Sequence, residues 1–176
     1  MKVHKLKSNA KININLNITG KSVSKKIHFI ESLVAFISLS DLIYIQETNS
    51  KSHKVIFKGR FNKGISKKNT VSKLLNLLDK KKLLLNKKYK IVVKKNIPQK
   101  SGMGGGSMNA SSIIKYLLKK KIINSSKKSI NNIMKSIGSD VPLGMNLKNT
   151  IMSQTGKLTT NDKKIGLYAL IVKPNF

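Results

Sequence analysis

A glycine-rich loop is the part of this sequence whose residue types could most directly do chemistry. Residues 98–107 read PQKSGMGGGS, with four glycines within residues 102–106. Glycine permits positive φ and lets backbone N–H groups approach a ligand closely. A patterned helix is predicted to start directly after the loop, at about residues 107–109, and the free N–H groups and positive dipole end of a helix favour an anion. The loop therefore predicts a phosphate-binding site.

The alternatives for this loop are another nucleotide motif or no ligand at all. It is not a Walker loop, because no Gly-Lys-Ser/Thr ends it, and its spacing is not that of the dinucleotide-binding fingerprint. A flexible linker or hairpin tip remains possible. The sequence argues against a linker, because the loop lies between a β-branched strand (YKIVVKK, 89–95) and a well-patterned helix.

Phosphoryl transfer would also need a carboxylate to orient or deprotonate the attacking hydroxyl, and often to hold Mg²⁺. The sequence has only six acidic residues: Glu31, Asp41, Glu47, Asp79, Asp140 and Asp162. Five of them have ordinary structural interpretations. Glu31 could face solvent from a strand, Asp41 resembles a turn residue between strands, and Glu47 lies at a strand end. Asp79 lies on a lysine-rich helix surface, and Asp162 lies in a polar turn. Asp140 differs because it stands in IGSDVPLG, between a helix end and a proline, although an N-cap aspartate is an alternative.

Among the basic residues, Lys11 stands out. It opens an alternating strand beside Ala10 and belongs to no lysine run. With 35 lysines in the chain, this alone is a weak indication of a catalytic role.

The elements that must position these residues can be predicted from hydrophobic periodicity. Alternating apolar residues predict a strand at 11–19 whose isoleucine face is half-buried. Alternation or β-branched and aromatic residues predict further strands at 28–38, 42–48, 53–58 and 89–95, two short strands near 150–160, and a last strand at 167–173. Asn69 is the predicted N-cap of an amphipathic helix that runs toward residue 85. A second helix follows the glycine loop with Ala110, Ile113, Ile114 and Leu117 on one face, and a third covers about 126–136 and ends at Gly138. This order of elements predicts an α+β fold rather than a doubly wound sheet.

The net charge suggests a different class of partner. The 176 residues include 36 basic and six acidic side chains, for a formal charge of +30, which would attract any polyanion. However, only Arg60 is arginine, and 35 Lys, 22 Ile and 18 Asn together make up 75 residues, all types with A- and T-rich codons. A selected nucleic-acid surface would more often keep arginine for bidentate contacts. We therefore favour codon drift over nucleic-acid binding as the origin of the charge.

The absence of cysteine excludes disulfides, thiolate metal sites and a cysteine nucleophile. Residues 1–10 have no apolar segment of the secretory kind, and the apolar stretch 27–45 is interrupted by Glu31 and Asp41. We expect a cytoplasmic protein with no membrane partner.

Five ordered segments together resemble the GHMP kinase superfamily and, within it, the 4-diphosphocytidyl-2-C-methyl-D-erythritol kinases of the non-mevalonate isoprenoid pathway. The most specific segment nearly matches the family pattern K-x-I-P-x-x-S/A-G-x-G-G-G-S-x-N-A. The five segments are AKININLNITGK (10–21), HFIESLVAFISLSDLI (28–43), NTVSKLLNLL (69–78), KNIPQKSGMGGGSMNASSII (95–114) and IGSDVPLGM (137–145).

The resemblance implies roles for individual residues. Asp140 would be the base toward the substrate hydroxyl, and Lys11 would stabilise that hydroxyl and the transferred phosphoryl group. Asn13 and His28 would face the cytidyl substrate, and Asn69 would lie on the nucleotide side. The ATP phosphates would be held by Pro98, Gly102, Gly104, Gly105, Gly106, Ser107 and Asn109. ATP and Mg²⁺ are the implied cofactors, with Mg²⁺ following from the chemistry of ATP rather than from an identifiable set of metal ligands.

The resemblance also implies a domain organisation. Residues 1–160 would form an N-terminal, ATP-binding domain like ribosomal protein S5 domain 2, and residues 161–176 would begin a truncated C-terminal domain of ferredoxin-like fold. A partner chain could then supply the absent domain. The expected activity is phosphorylation of the 2-hydroxyl of 4-diphosphocytidyl-2-C-methyl-D-erythritol. Another GHMP kinase such as homoserine or mevalonate kinase, an inactive remnant and a basic nucleic-acid-associated protein remain alternatives.

Overall fold

A computed structural model describes residues 2–22, 27–161, 166 and 168–172. In chain order the elements are β1 (His4–Ser22), β2 (Ile27–Thr48), β3 (Lys54–Lys58), α1 (Thr70–Lys80), β4 (Lys88–Lys94), α2 (Gly105–Lys119), α3 (Lys127–Ile137), a 3₁₀ turn (Pro142–Met145), β5 (Asn149–Met152) and β6 (Leu158–Asn161). Strands and helices follow one another in the order that the sequence predicted. The prediction of a fold that mixes α-helices with a β-sheet is therefore confirmed.

The long strand β2 organises the sheet. It pairs along one edge with antiparallel β1, and along its other edge with β4 through residues 42–48 and with β5 through residues 32–34. Strand β3 lies outside β4 and runs parallel to it, and β6 lies outside β5. The described sheet therefore has six strands, with β1 and β2 forming a long hairpin.

The core lies between this sheet and the helices. Ile43 and Ile45 of β2 and their partners Val93 and Ile91 of β4 are almost fully buried on the same face of the sheet. They share one apolar cluster with the buried faces of all three helices, which include Leu74, Leu75 and Leu78 of α1, Ile113, Ile114 and Leu117 of α2, and Ile130 and Ile133 of α3. The predicted helix faces are thus the ones that pack against the sheet.

Several predicted boundaries differ from the structure. The two strands predicted at 28–38 and 42–48 form one continuous strand, β2. Between the two predicted segments, the pairing of β2 with β1 shifts register at residues 9–11 of β1. Helix α1 ends at Lys80 rather than near residue 85, because Lys82, Leu85 and Asn86 adopt positive φ and turn the chain. The predicted strand at 167–173 is wrong over residues 168–172, which form no strand, while Leu167 and Lys173 lie outside the described residues.

The half-buried apolar face predicted for β1 is confirmed at Ile12 and is wrong at the three apolar residues that follow it. Ile14, Leu16 and Ile18 are exposed, so the hairpin beyond Asn13 has an apolar face open to solvent. Over the described part of the chain, none of the helices has the length and apolar character needed to cross a membrane.

Candidate active site

The glycine loop connects β4 to the first turn of α2. Gly104 is the N-cap of α2 and adopts φ +66°, and Gly102 adopts φ +73°, so the loop uses the conformations that glycine permits. No side chain caps the start of α2. Its first N–H groups therefore remain available, and helix α2 begins two residues earlier than predicted.

Close approach explains three of the glycines. A Cβ at Gly104 would lie 3.0 Å from Cγ of Lys11, and one at Gly105 would lie 3.0 Å from Nζ of Lys95. A Cβ at Gly106 would lie 2.9 Å from Oγ1 of Thr70. The loop is therefore packed against side chains of β1, the end of β4 and α1, and a larger residue would displace them.

A cavity of about 240 Å³ opens beside the loop. It is lined by Phe57, Ile65, Asn69, Thr70, Lys95, Pro98, Gln99, Lys100, Ser101, Gly102, Met103, Gly105, Gly106 and Asn109. The cavity thus brings together six residues predicted to bind the nucleotide: Asn69, Pro98, Gly102, Gly105, Gly106 and Asn109. Its composition combines backbone of the loop, cationic side chains and an apolar wall from Phe57 and Ile65.

Asn69 is confirmed as the N-cap of α1. Its side-chain Oδ1 accepts from the backbone N–H of Ser72 at 2.9 Å, and its Nδ2 donates to the carbonyl of Ser66 at 3.0 Å. Capping therefore accounts for the side chain as it stands, and its role on the nucleotide side stays a prediction.

Lys11 and Asp140 meet on the other side of Gly104. Lys11 Nζ lies 3.3 Å from Oδ2 of Asp140, and the Lys11 side chain is only 8% exposed while that of Asp140 is 26% exposed. The backbone N–H of Lys11 donates to the carbonyl of Met103 at 3.1 Å, which joins β1 to the loop. A lysine from the first strand and an aspartate 129 positions later are thus brought to the same loop.

The remaining predicted site residues divide into two groups. Asn13 lies beside the pair, since its Oδ1 accepts from Lys11 Nζ at 2.9 Å. Ser107 sits in the first turn of α2, and a Cβ at Gly138 would lie 3.5 Å from its Oγ, so it borders the segment that carries Asp140. His28 is exposed and lies far from the pair. It is six residues along β2 from Val34, the residue paired with Asn13, and six residues of a strand span about 20 Å.

The structure also identifies functional candidates that the sequence did not. Asp41 was interpreted as a turn residue, but it is fully buried within β2 and pairs with Lys95, itself only 4% exposed. The available signal was the alternation of β2, because Asp41, Ile43 and Ile45 fall on the same face. Thr70 was also missed, and its hydroxyl donates to the carbonyl of Gly106 at 2.9 Å.

The other carboxylates lie in different surroundings. Glu31 is exposed on β2, and Glu47 makes an exposed ion pair with Lys87 at 3.1 Å. Asp79 contacts His53 at 3.0 Å and Lys88 at 2.6 Å. Asp162 lies outside the described residues. Within the part of the chain that the structure describes, no three His, Cys, Asp or Glu side chains form a group that could hold a metal ion.

Comparison with known proteins shows what this loop and fold are similar to. Residues 69–151 match the model of the family described as GHMP kinases, N terminal domain. The matched region is slightly less than half of the chain. It spans α1, the glycine loop and Asp140, and it is similar to the N-terminal domain of GHMP kinases.

Individual relatives are more specific. The chain is 52% identical over 176 residues to 4-diphosphocytidyl-2-C-methyl-D-erythritol kinase of Pelagibacter ubique (strain HTCC1062), covering 100% of this chain and 62% of the relative. It is 36% identical over 180 residues to the enzyme of the same name from Anaplasma marginale (strain Florida), covering 99% of this chain and 60% of the relative. The chain thus spans about three fifths of the length of these relatives.

Solved structures support the fold. A crystal structure of 4-(cytidine 5'-diphospho)-2C-methyl-D-erythritol kinase superposes with a TM-score of 0.71 at 20% identity, covering 90% of this chain and 55% of that chain. Mevalonate pyrophosphate decarboxylase from Streptococcus pyogenes superposes with a TM-score of 0.62 at 15% identity, covering 89% of this chain and 50% of that chain. At these identities the likeness concerns the fold.

Proposed function

We propose that the chain is the nucleotide-binding part of an ATP-dependent kinase that phosphorylates the 2-hydroxyl of 4-diphosphocytidyl-2-C-methyl-D-erythritol. The observation that carries the proposal is the placement of Lys11 and Asp140, 3.3 Å apart, against Gly104 of the glycine loop. A carboxylate and an ammonium beside an anion-binding loop are the groups that transfer of a phosphoryl group to an alcohol requires.

The geometry supports a separate chemical role for each of these groups. Asp140 accepts the proton of the substrate hydroxyl while the hydroxyl oxygen bonds to the γ-phosphorus of ATP. The bond from that phosphorus to the β,γ-bridging oxygen breaks, and ADP leaves. Lys11 supplies positive charge to the attacking oxygen and the phosphoryl group. The backbone N–H groups at the start of α2 offset the charge of the ATP phosphates. Asn13 holds Lys11 in place through its Oδ1.

Mg²⁺ would accompany ATP in this proposal. Mg²⁺ is usually held by one or two carboxylates together with substrate phosphates and water, rather than by an all-protein cage. The Ser107 hydroxyl in the first turn of α2 and the partly exposed Asp140 carboxylate, whose Oδ2 lies 3.8 Å from the position of a Cβ on Gly104, fit that donor set because both are hard oxygen donors. The ion would neutralise charge on the phosphates, and the phosphates would supply the other ligands.

The substrate assignment rests on the names of the relatives and on the roles that the resemblance gives to Asn13 and His28. The distance of about 20 Å along β2 that separates the two positions suits an extended substrate with a nucleotide at one end and the reacting hydroxyl at the other. His28 would lie at the cytidyl end, and Asn13 would lie at the reacting end beside Lys11.

The proposal also includes the domain organisation expected from the sequence. Residues 1–160 would be an S5-domain-2-like N-terminal domain, and residues 161–176 would begin a ferredoxin-like one. The exposed apolar side chains of Ile14, Leu16 and Ile18 support a partner surface on the hairpin. We place the enzyme in the cytoplasm.

Turnover tests the activity directly. The full chain is incubated with ATP, Mg²⁺ and the cytidyl substrate, alone and with the remaining C-terminal region of the Pelagibacter relative added in trans, and ADP release is measured. We expect activity in at least one condition, and a loss of about a hundredfold or more in kcat for Asp140→Asn, since general-base groups contribute that much.

The matched control is Glu31→Gln, which removes a carboxylate exposed on β2 and should leave kcat unchanged. Absence of turnover in both conditions would reject the proposed activity. Full activity of Asp140→Asn would reject the role of Asp140 while leaving the activity in place.

A further inference from the structure

The buried carboxylate of Asp41 connects the two ends of the glycine loop. Its Oδ1 accepts from the backbone N–H groups of Asn96 and Ile97, at 2.7 and 2.9 Å, directly before the loop. Its Oδ2 accepts from Nδ2 of Asn109 at 3.0 Å, in α2 directly after the loop, and from Nζ of Lys95. One side chain of β2 thus holds the segment where the loop begins and the helix turn where it ends.

The second member of this network reaches the nucleotide cavity. Lys95 lines the cavity, and its Nζ lies 3.0 Å from the position that a Cβ of Gly105 would occupy. Asn109 also lines the cavity, and with its Nδ2 committed to Asp41 its buried Oδ1 has no hydrogen-bond partner. The groups that Asp41 holds are therefore groups of the phosphate site, although Asp41 itself does not line it.

From these contacts we propose that Asp41 is a positioning residue for the nucleotide. It fixes the glycine loop and the Lys95 ammonium in the arrangement that receives the phosphates, before the nucleotide arrives. Such preorganisation raises affinity by removing the cost of ordering the loop on binding. The inference rests on the proposed function, since it assumes that this cavity takes ATP.

The sign of the charge effect separates this role from simple electrostatics. Asp41 places a negative charge beneath an anion site, so removing that charge should tighten ATP binding by Coulomb's law. If Asp41 positions the loop, its removal weakens ATP binding despite the more favourable charge. The two effects predict opposite directions for the same variant.

The experiment measures dissociation constants for ATP and for adenosine with the full chain. For Asp41→Asn we expect ATP affinity to fall about tenfold or more, and adenosine affinity to change less than about threefold, because the lost contacts lie under the phosphates. Glu47→Gln is the matched control: it removes a carboxylate from the same strand, in an exposed pair with Lys87, and should stay within about twofold of the wild type.

A second variant covers the case in which Asp41→Asn fails to fold with Lys95 left buried and unpaired. The double variant Asp41→Asn/Lys95→Met removes both charges, so we expect its thermal midpoint to exceed that of the single variant. We expect its ATP affinity to fall below that of Lys95→Met, which loses the same ammonium but keeps Asp41 bound to the ends of the loop. ATP affinity equal to or tighter than that of the wild type in Asp41→Asn, or equal to or tighter than that of Lys95→Met in the double variant, would overturn the positioning role. A wild-type chain that does not bind ATP would instead reject the proposed function on which the inference rests.

Discussion

At the scale of single residues, Gly104 is the point where the loop, β1 and the segment after α3 come together. A Cβ there would lie 3.0 Å from Cγ of Lys11 and 3.8 Å from Oδ2 of Asp140. Its positive φ also makes it the residue that turns the loop into α2. The proposed catalytic pair therefore depends on the absence of a side chain at this position as much as on the lysine and the aspartate.

Substituting Gly104 by alanine tests this dependence. Both Gly104→Ala and Gly64→Ala place a side chain at positive φ, which costs roughly 1–2 kcal/mol, but the Cβ at Gly64 meets nothing within 4 Å. We expect Gly64→Ala to show only the backbone cost in urea unfolding, and Gly104→Ala to lose about 1 kcal/mol more because it displaces Lys11. Equal unfolding midpoints would contradict the packing role of Gly104.

The sequence predicted Asp140 but not Asp41, for a physical reason. Asp140 could be found by elimination, since a chain with six acids offers few candidates and this one stands between a helix end and a proline. Asp41 was assigned to a turn because it lies between the strands predicted at 28–38 and 42–48. A buried position was not expected, since charged residues are rarely buried unless they are paired. Its partner Lys95 is 54 positions away, and the sequence alone does not reveal such a pairing.

At the scale of elements, periodicity predicted the helices better than the strands. The apolar faces of α1 and α2 were identified correctly because a helix on a sheet buries one stripe at a spacing of three to four residues. The alternation of β1 predicted a strand correctly but could not say whether another layer covers it. Whether Ile14 and Leu16 are buried is decided by tertiary packing, which the local pattern does not contain.

His53 directly precedes β3 and contacts residues of α1 and β4, and we expect its protonation to affect the free energy of unfolding. His53 accepts at Nδ1 from the backbone N–H of Tyr89 at 3.0 Å, so its Nε2 carries the proton and donates to Asp79 at 3.0 Å. Burial lowers the pKa of His53 below its ordinary value of 6.5, and the nearby Lys88 adds to this, while Asp79 opposes it. The folded chain therefore keeps this ring neutral at a pH where the unfolded chain binds a proton.

The sign of the pH effect follows from that difference. Above pH 6.5 both states are neutral at this position, and below it the unfolded state gains a proton first, so stability falls as pH decreases from about 6.5 toward the lowered pKa. One such group contributes at most about 1.4 kcal/mol per pH unit. Urea unfolding of the wild type and of His53→Gln between pH 7.5 and 5 measures this contribution. A difference between the two proteins that does not change with pH would contradict the assignment.

At the scale of the whole molecule, the lysines that give the charge of +30 are not concentrated at the candidate active site. The two lysines buried at the site are paired with acids, Lys11 with Asp140 and Lys95 with Asp41. Other lysines are spread over β1, β3, β4 and the three helices, whereas β2, β5 and β6 carry none. Codon drift agrees with this pattern, because exposed positions can exchange residues without affecting the core.

That explanation predicts how the chain should bind RNA. Solvated lysines attract any polyanion through counterion release, so affinity should fall steeply with salt, by about tenfold or more between 50 and 200 mM, with little dependence on sequence. Fluorescence anisotropy with two unrelated single-stranded 20-mers at both salt concentrations measures this, and the two RNAs should bind within about threefold of each other. The near absence of arginine and the low aromatic content of 5% point the same way, because base readout relies on bidentate contacts and stacking. Tight binding that persists at 200 mM salt and prefers one RNA would instead make the charge a selected function of the molecule.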